Sequence, residues 1–175
     1  MPLKDNKVII DNFLNKNDLK ASKEVIFSKN FPWYFNPFQT LENKDSSYFF
    51  HIFYIDYRIN SNFFKIVEPI IQILNPLSLI NIRANCVVNR KKSDSDFHTD
   101  AFDCIKLNHM TAIFYFNTNN GYTLFKDKSK VKCVENRMVI FPSSLEHKAV
   151  AQTDTERRIV VNFNFFPRDN NKQIL

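Results

Sequence analysis

From residue 77 onward, short apolar runs alternating with polar positions are separated by clusters of Asn, Asp, Ser and Lys, the texture of strands joined by turns. This pattern predicts strands over residues 79–88, 97–102, 110–117, 122–126, 130–134, 137–141, 146–152 and 158–166. The opening part reads differently. Residues 8–10 are a short β-branched strand, Asn17 and Asp18 can cap a helix over residues 19–28, and the prolines of "FPWYFNPF" break the chain beyond it. Between residues 61 and 74, Phe63, Phe64, Val67, Ile70, Ile71 and Leu74 recur at three-to-four spacing, which predicts a second helix, kinked or divided at Pro69 and closed by Asn75 and Pro76. The sum is an α+β chain, an all-β core of sandwich or jelly-roll type with N-terminal helices packed on one sheet.

Composition narrows the class. With 175 residues the chain suits a single domain, comprising a mixed helical segment at 1–76, a β core at 77–167 and a tail at 168–175. Hydrophobic residues make up 44% and phenylalanine alone contributes 19, which excludes a disordered chain. The net charge of +6 gathers in runs such as "NRKK" and "KDKSKVK". No aromatic residues interleave with them as a nucleic-acid groove requires, so they read as solvated loops. Cys86, Cys104 and Cys133 show no C-x-x-C spacing, which argues against a disulfide framework or a thiolate zinc site. No run is long and apolar enough to span a bilayer, and the expected setting is soluble and cytoplasmic. The sole glycine, Gly121 in "NTNNGYTLF", predicts a tight turn that needs either a positive φ or close backbone approach.

Candidate chemistry lies in the β part. Strand alternation puts His98 and Asp100 of "SDFHTDAF" on one side with Thr99 turned away. An H-x-D pair alone is weak evidence for a metal. His147, in "FPSSLEHKAV" after the apolar run "MVIF", is the third candidate, with His51 and His109 as competitors. His51, set among Phe49, Phe50 and Phe53, reads as a core or pocket histidine, and His109 as a surface or supporting residue. Two imidazoles and one carboxylate form the facial set that suits non-haem Fe(II), although zinc hydrolysis could use the same ligands. In "TERRIVVNFNFF", Arg158 shares parity with Val160, Asn162 and Asn164, while Arg157 falls with the greasy Ile159, Val161, Phe163 and Phe165. A guanidinium turned toward a barrel lining calls for an anion, and its fork matches a carboxylate. Cys104 has no base partner in view and reads as a small buried thiol.

Taken in order, "HTD", "MTAIFYFN", "NNGYTLF", "NRMVIFPSSLEH" and Arg158 resemble the 2-oxoglutarate and Fe(II)-dependent dioxygenases, most closely the prolyl-4-hydroxylase-like branch with its small phage and bacterial members. The resemblance covers roughly residues 81–166, with "IIDNFL" and "FPWYF" more loosely similar. It implies a double-stranded β-helix, the cupin-like jelly roll, with His98, Asp100 and His147 as iron ligands and Arg158 on the distal carboxylate of 2-oxoglutarate. By the same resemblance Tyr115 assists that carboxylate, Thr123 and Asn85 line the cosubstrate pocket, and Fe(II), 2-oxoglutarate and O2 are required, with ascorbate as an optional addition. The pair of glycines usual before the Thr123 strand is reduced here to Gly121 behind Asn120. The implied activity is hydroxylation of a C–H bond of a protein or small-molecule substrate with release of succinate and CO2. Asp100 favours it over halogenation, which uses a small residue at that position. Nucleic acid ranks below those substrates. The competing reading is a metal-binding jelly roll without oxygenase turnover, either a hydrolase or a binding module. Trp33, Tyr34 and His51 are candidates for the substrate rim.

Overall fold

The computed structural model describes residues 7–37, 47–89, 95–100 and 109–168. Their elements run β1 (Val8–Ile10), α1 (Lys16–Ile26), β2 (Tyr34–Asn36), β3 (Tyr48–Ile55), β4 (Arg58–Ile59), a 3-10 turn (Phe64–Ile66), α2 (Glu68–Leu74), β5 (Ser78–Val88), β6 (Met110–Tyr115), β7 (Tyr122–Phe125), β8 (Lys130–Lys132), β9 (Arg137–Pro142), β10 (His147–Val150) and β11 (Arg157–Phe166). The larger sheet has the order β1-β9-β6-β11-β5-β3-β2, with β4 hairpinned onto β3, and the smaller is β10-β7-β8. Neighbouring strands are antiparallel throughout.

The larger sheet is covered on both faces, so β6 is buried at every position and its sequence "MTAIFY" is nearly unbroken apolar. Alternation assigns the faces. Ala112 and Phe114 of β6 join Ile159, Val161 and Phe163 of β11 in one core, against Leu14, Ile26, Val67 and Ile70 of the helical N-terminal part. Ile113 and Tyr115 point the other way, meeting Val139, Phe141 and Val160, and, from the small-sheet side, Phe125, Val131 and Cys133. The predicted jelly roll with helices on one sheet is therefore observed, and the second interior, between the two sheets, is where the site forms.

Several elements depart from the sequence reading. Helix α1 starts earlier than residue 19 because Asn15, not Asn17, is its cap: the Asn15 Oδ1 accepts the N–H groups of Asn17 and Asp18 at 3.0 Å each. The expected helix over 61–74 is divided, as Pro69 allows. Phe64–Ile66 form a 3-10 turn, and α2 takes Pro69 in its first turn, where a missing N–H costs nothing. Strands β2, β3 and β4 are additions to the predicted set. In β3 the run "YFFHIFYI" is aromatic or apolar on both faces, so the period of two is invisible. The strand predicted over 97–102 reduces, among residues 95–100, to a single bridge between His98 and His147, and residues 101 and 102, like Cys104, lie outside the described residues.

Gly121 does not use a positive φ. A Cβ there would lie 2.8 Å from Asn119 Oδ1 and 2.9 Å from the Val150 carbonyl, so close backbone approach is the reason for glycine. Left-handed conformations fall instead to residues such as Asn12, Asn75 and Asn136. Among the described residues no helix is long and apolar enough to cross a membrane.

Candidate functional site

The bridge between His98 and His147 carries both backbone hydrogen bonds, 3.0 Å from the His98 N–H to the His147 carbonyl and 2.9 Å in return. It brings the two imidazoles to 4.6 Å between ring centroids. Two residues on, the Asp100 N–H donates to the Ser143 carbonyl at 3.0 Å, which ties this segment to the chain between β9 and β10. His98, Asp100 and His147 thereby each offer a ligand atom within 4.8 Å of the others.

Hydrogen bonds prepare these side chains for a cation. His98 Nδ1 lies 3.0 Å from the Asp96 carbonyl, and His147 Nδ1 lies 3.0 Å from the Leu145 carbonyl. A carbonyl only accepts, so each Nδ1 carries the hydrogen, and in the neutral ring Nε2 keeps its lone pair. Burial pushes the His147 pKa below its usual value, more than the neighbouring Asp100 carboxylate restores, which favours that neutral form. Asp100 Oδ2 accepts from Thr111 Oγ1 at 2.9 Å and from Asn164 Nδ2 at 3.3 Å, while Oδ1 sits 3.9 Å from His98 Nε2. One carboxylate oxygen is thus held and the other faces the imidazoles. This donor set, two neutral imidazole nitrogens and a carboxylate oxygen, fits a divalent first-row metal such as Fe(II).

Arg158 lies in the same interior. It is 3% exposed, its Nε donates to Cys133 Sγ at 2.9 Å, and its guanidinium carbon is 5.8 Å from the centre of the Tyr115 ring. Among the described residues no carboxylate pairs with it. An arginine stays protonated in proteins, so this is a buried cation whose nearest partners are a thiol and a π face. Arg157, one residue earlier, sits on the opposite face: its guanidinium lies 4.9 Å over Phe27 and donates to the Phe27 carbonyl at 3.4 Å. The parity argument therefore separates the two arginines correctly.

A cavity of about 440 Å³, its mouth included, is lined by His98, His147, Arg158, Asn85, Thr123, Ser95 and Asn162, with Val87, Ile113, Ala149 and Val160 between them. The side-chain oxygens of Asn85 and Asn162 are buried there without a partner among the described residues. Unpaired polar atoms of this kind are costly in an empty protein interior and expected where a polar ligand binds.

The other residues singled out from the sequence divide. Thr123 and Asn85 line the cavity, whereas Tyr115 is one layer behind: it is fully buried, with its hydroxyl 2.7 Å from Thr123 Oγ1. Burial, chiefly, raises the Tyr115 pKa, so the phenol stays neutral. His51 is a core residue, its Nδ1 2.8 Å from the Pro32 carbonyl and its Nε2 2.7 Å from Ser61 Oγ, ringed by Phe31, Phe53 and Phe63. His109 is buried rather than superficial, and its Nε2 supports the Asp100 carbonyl at 3.2 Å. Trp33 packs edge-on against Phe31, whereas Tyr34 is 57% exposed beside Phe50. Sequence reasoning missed the supporting roles of Thr111 and Asn164 on Asp100 and of Cys133 on Arg158. For the first two a signal existed, since each is a polar residue at an inward position of an otherwise apolar strand.

At the level of sequence, no family model and no curated protein matches the chain. At the level of fold the similarity is extensive. A prolyl hydroxylase of Trichoplax adhaerens, in complex with a hypoxia inducible factor oxygen degradation domain peptide, superposes with a TM-score of 0.69 at 12% identity, covering 97% of this chain and 87% of that one. An oxidoreductase of the 2OG-Fe(II) oxygenase family from Burkholderia pseudomallei gives 0.69 at 8% identity over 93% of this chain and 86% of that one. HygX from Streptomyces hygroscopicus, with nickel and 2-oxoglutarate bound, gives 0.61 at 9% identity over 94% and 84% respectively. The fold is that of the 2-oxoglutarate and Fe(II) oxygenases, prolyl hydroxylases among them.

Proposed function

We propose that the protein is a 2-oxoglutarate- and Fe(II)-dependent dioxygenase that hydroxylates a C–H bond of a protein or small-molecule substrate. The observation that carries this reading is the juxtaposition of two opposite demands in one cavity: a His98–Asp100–His147 cluster suited to a divalent metal and a buried Arg158 guanidinium with no carboxylate of its own among the described residues. A dicarboxylate answers both, one end at the metal and the other on the cation. A zinc hydrolase of an uncharged substrate would have no use for the second.

When bound, ferrous iron with 2-oxoglutarate and O2 supplies the oxidising chemistry, in which substrate R–H, 2-oxoglutarate and O2 yield R–OH, succinate and CO2. The protein's own contributions come from its side chains. His98 and His147 present Nε2 lone pairs, fixed by their Nδ1–H bonds to backbone carbonyls. Asp100 directs Oδ1 inward because Thr111 and Asn164 occupy Oδ2. Arg158 neutralises the distal carboxylate of the cosubstrate through charge-assisted hydrogen bonds, and Thr123, backed by Tyr115, provides a hydroxyl beside it. Asn85 supplies a further polar contact from the sheet. The apolar wall of Ile113, Val160 and Val87 displaces water, which strengthens each of these interactions.

The test is anaerobic loading with Fe(II) and 2-oxoglutarate followed by O2 and measurement of succinate, with Arg158→Ala in parallel. We expect succinate from the wild-type protein and a loss of 2-oxoglutarate affinity of about 10- to 100-fold in the variant, the scale of a charged hydrogen-bonding partner removed. A folded, iron-loaded protein that neither binds 2-oxoglutarate nor forms succinate would instead be a metal-binding jelly roll without turnover.

A further inference from the structure

A second arginine, on the strand next to the cavity, also lacks an anion. Arg83 lies on β5 with the same parity as Asn85, two residues and therefore about 7 Å along the strand from that cavity-lining residue. Register places it opposite Asn162 of β11, and places Asn81 opposite Asn164, whose amide touches Asp100. On the other side β3 contributes aromatic rings: the Arg83 guanidinium carbon stands 4.7 Å from the centre of Phe50 and 5.1 Å from that of Tyr48. Arg83 is half-buried, and among the described residues it pairs with no carboxylate.

Its hydrogen bonds are incomplete in an informative way. Nη2 donates to the Tyr48 hydroxyl, but Nε is buried with no acceptor among the described residues. Elsewhere in the protein the same two donors close on a carboxylate: Arg137 holds Asp11 through Nε to Oδ1 at 2.6 Å and Nη2 to Oδ2 at 2.9 Å. A single phenol oxygen cannot satisfy both donors of this edge as a carboxylate can. Beside Arg83, the side-chain oxygens of Asn81 and Asn162 are also buried and, among the described residues, unpartnered, which leaves acceptors waiting for N–H donors. One cation lacking an anion, flanked by acceptors lacking donors, matches a ligand that carries a carboxylate close to an N–H.

We propose that Arg83, with Asn81 and Asn162, binds the carboxylate end of an amino-acid-like substrate and so sets which substrates reach the His98–Asp100–His147 cluster. This rests on the oxygenase reading only for the word substrate; the binding site itself is independent of turnover. Tyr48 and Phe50 hold the guanidinium plane by cation–π contact, and the ligand carboxylate accepts the Nε–H hydrogen bond that Tyr48 does not. Because Arg158 is another cation with no carboxylate among the described residues, a ligand carboxylate must be shown to choose between them.

The experiment is a titration of the full chain with N-acetylglycine and with its uncharged match N-acetylglycinamide, followed through the Nε–H resonances of Arg83 and Arg158. It is run on the wild-type protein and on Arg83→Gln, Arg158→Gln and Arg157→Gln, with and without Zn(II) and 2-oxoglutarate. We expect the Arg83 Nε–H to shift saturably with N-acetylglycine and not with the amide, to do so equally in Arg158→Gln and Arg157→Gln, and the affinity to fall at least tenfold in Arg83→Gln. An unmoved Arg83 resonance in the wild-type protein, an equal response to the amide, or a response to inorganic phosphate alone overturns the proposal. The wild-type titration decides even where a variant fails to fold. Binding of 2-oxoglutarate is read separately at Arg158, so loss of the oxygenase reading leaves the Arg83 result standing, and the reverse.

Discussion

Asp100 illustrates how much of the site depends on residues that never meet a ligand. Its Oδ2 is held by Thr111 and Asn164, and Thr111 Oγ1 is itself 2.8 Å from Ser143 Oγ and 3.0 Å from Asn164 Nδ2. Thr111, Ser143 and Asn164 are all buried, so the network fixes the carboxylate's orientation before a cation arrives. Thr111→Val keeps shape and removes the hydroxyl. The expected result is a fall in affinity for Fe(II) or Co(II) of roughly 10- to 100-fold with the fold intact, measured by competition with a chelator; an unchanged affinity would deny Thr111 this role. That His98, Asp100 and His147 converge was legible from the H-x-D spacing and the place of His147 after the apolar run "MVIF", and the inward turn of Arg158 from strand parity. Thr111 is a polar residue at an inward position of an apolar strand, but its partner Asn164 is far along the chain, and only register joins them. Cys133 on Arg158 left no trace in a local pattern.

Among the elements, legibility followed the contrast between faces. β5, β7 and β9 were recognised within a residue or two, because apolar and polar positions or clear turn residues bound them. β3 failed for the opposite reason, as both of its faces are aromatic. Among residues 97–100 the predicted strand is reduced to one bridge, because the backbone pairs at His98 with His147 without becoming a ladder strand. The edge strand β1 is secured at its end by Asp11, which clasps Arg137 of β9. That hydrogen-bonded pair lowers the Asp11 pKa, so its contribution is present above the ordinary carboxylate range, near pH 4, and is lost as acid titrates the folded-state carboxylate below it. Because the Asp11 side chain is 54% exposed, solvent screening limits the pair to about 1 kcal/mol or less. Urea unfolding of Asp11→Asn should therefore show a small deficit against wild type at pH 7 that closes toward pH 2. A deficit that grows with acidity would contradict the assignment.

At the scale of the molecule, the large sheet separates two interiors with different duties. One face buries the helical N-terminal part in a continuous apolar core, and the other, with the small sheet, encloses polar atoms that no described residue pairs. The alternation of β6 and β11 creates both at once, since each strand sends odd positions one way and even positions the other. The resemblance read from half the chain is matched by a fold that superposes over nearly all of it at 8–14% identity. The most direct test of the central claim is anomalous diffraction at the iron edge from crystals grown anaerobically with Fe(II) and 2-oxoglutarate. The account predicts one iron bound by His98 Nε2, His147 Nε2 and Asp100 Oδ1, with the distal carboxylate of 2-oxoglutarate on Arg158. Iron bound elsewhere, or a cosubstrate that leaves Arg158 without a carboxylate, would contradict it.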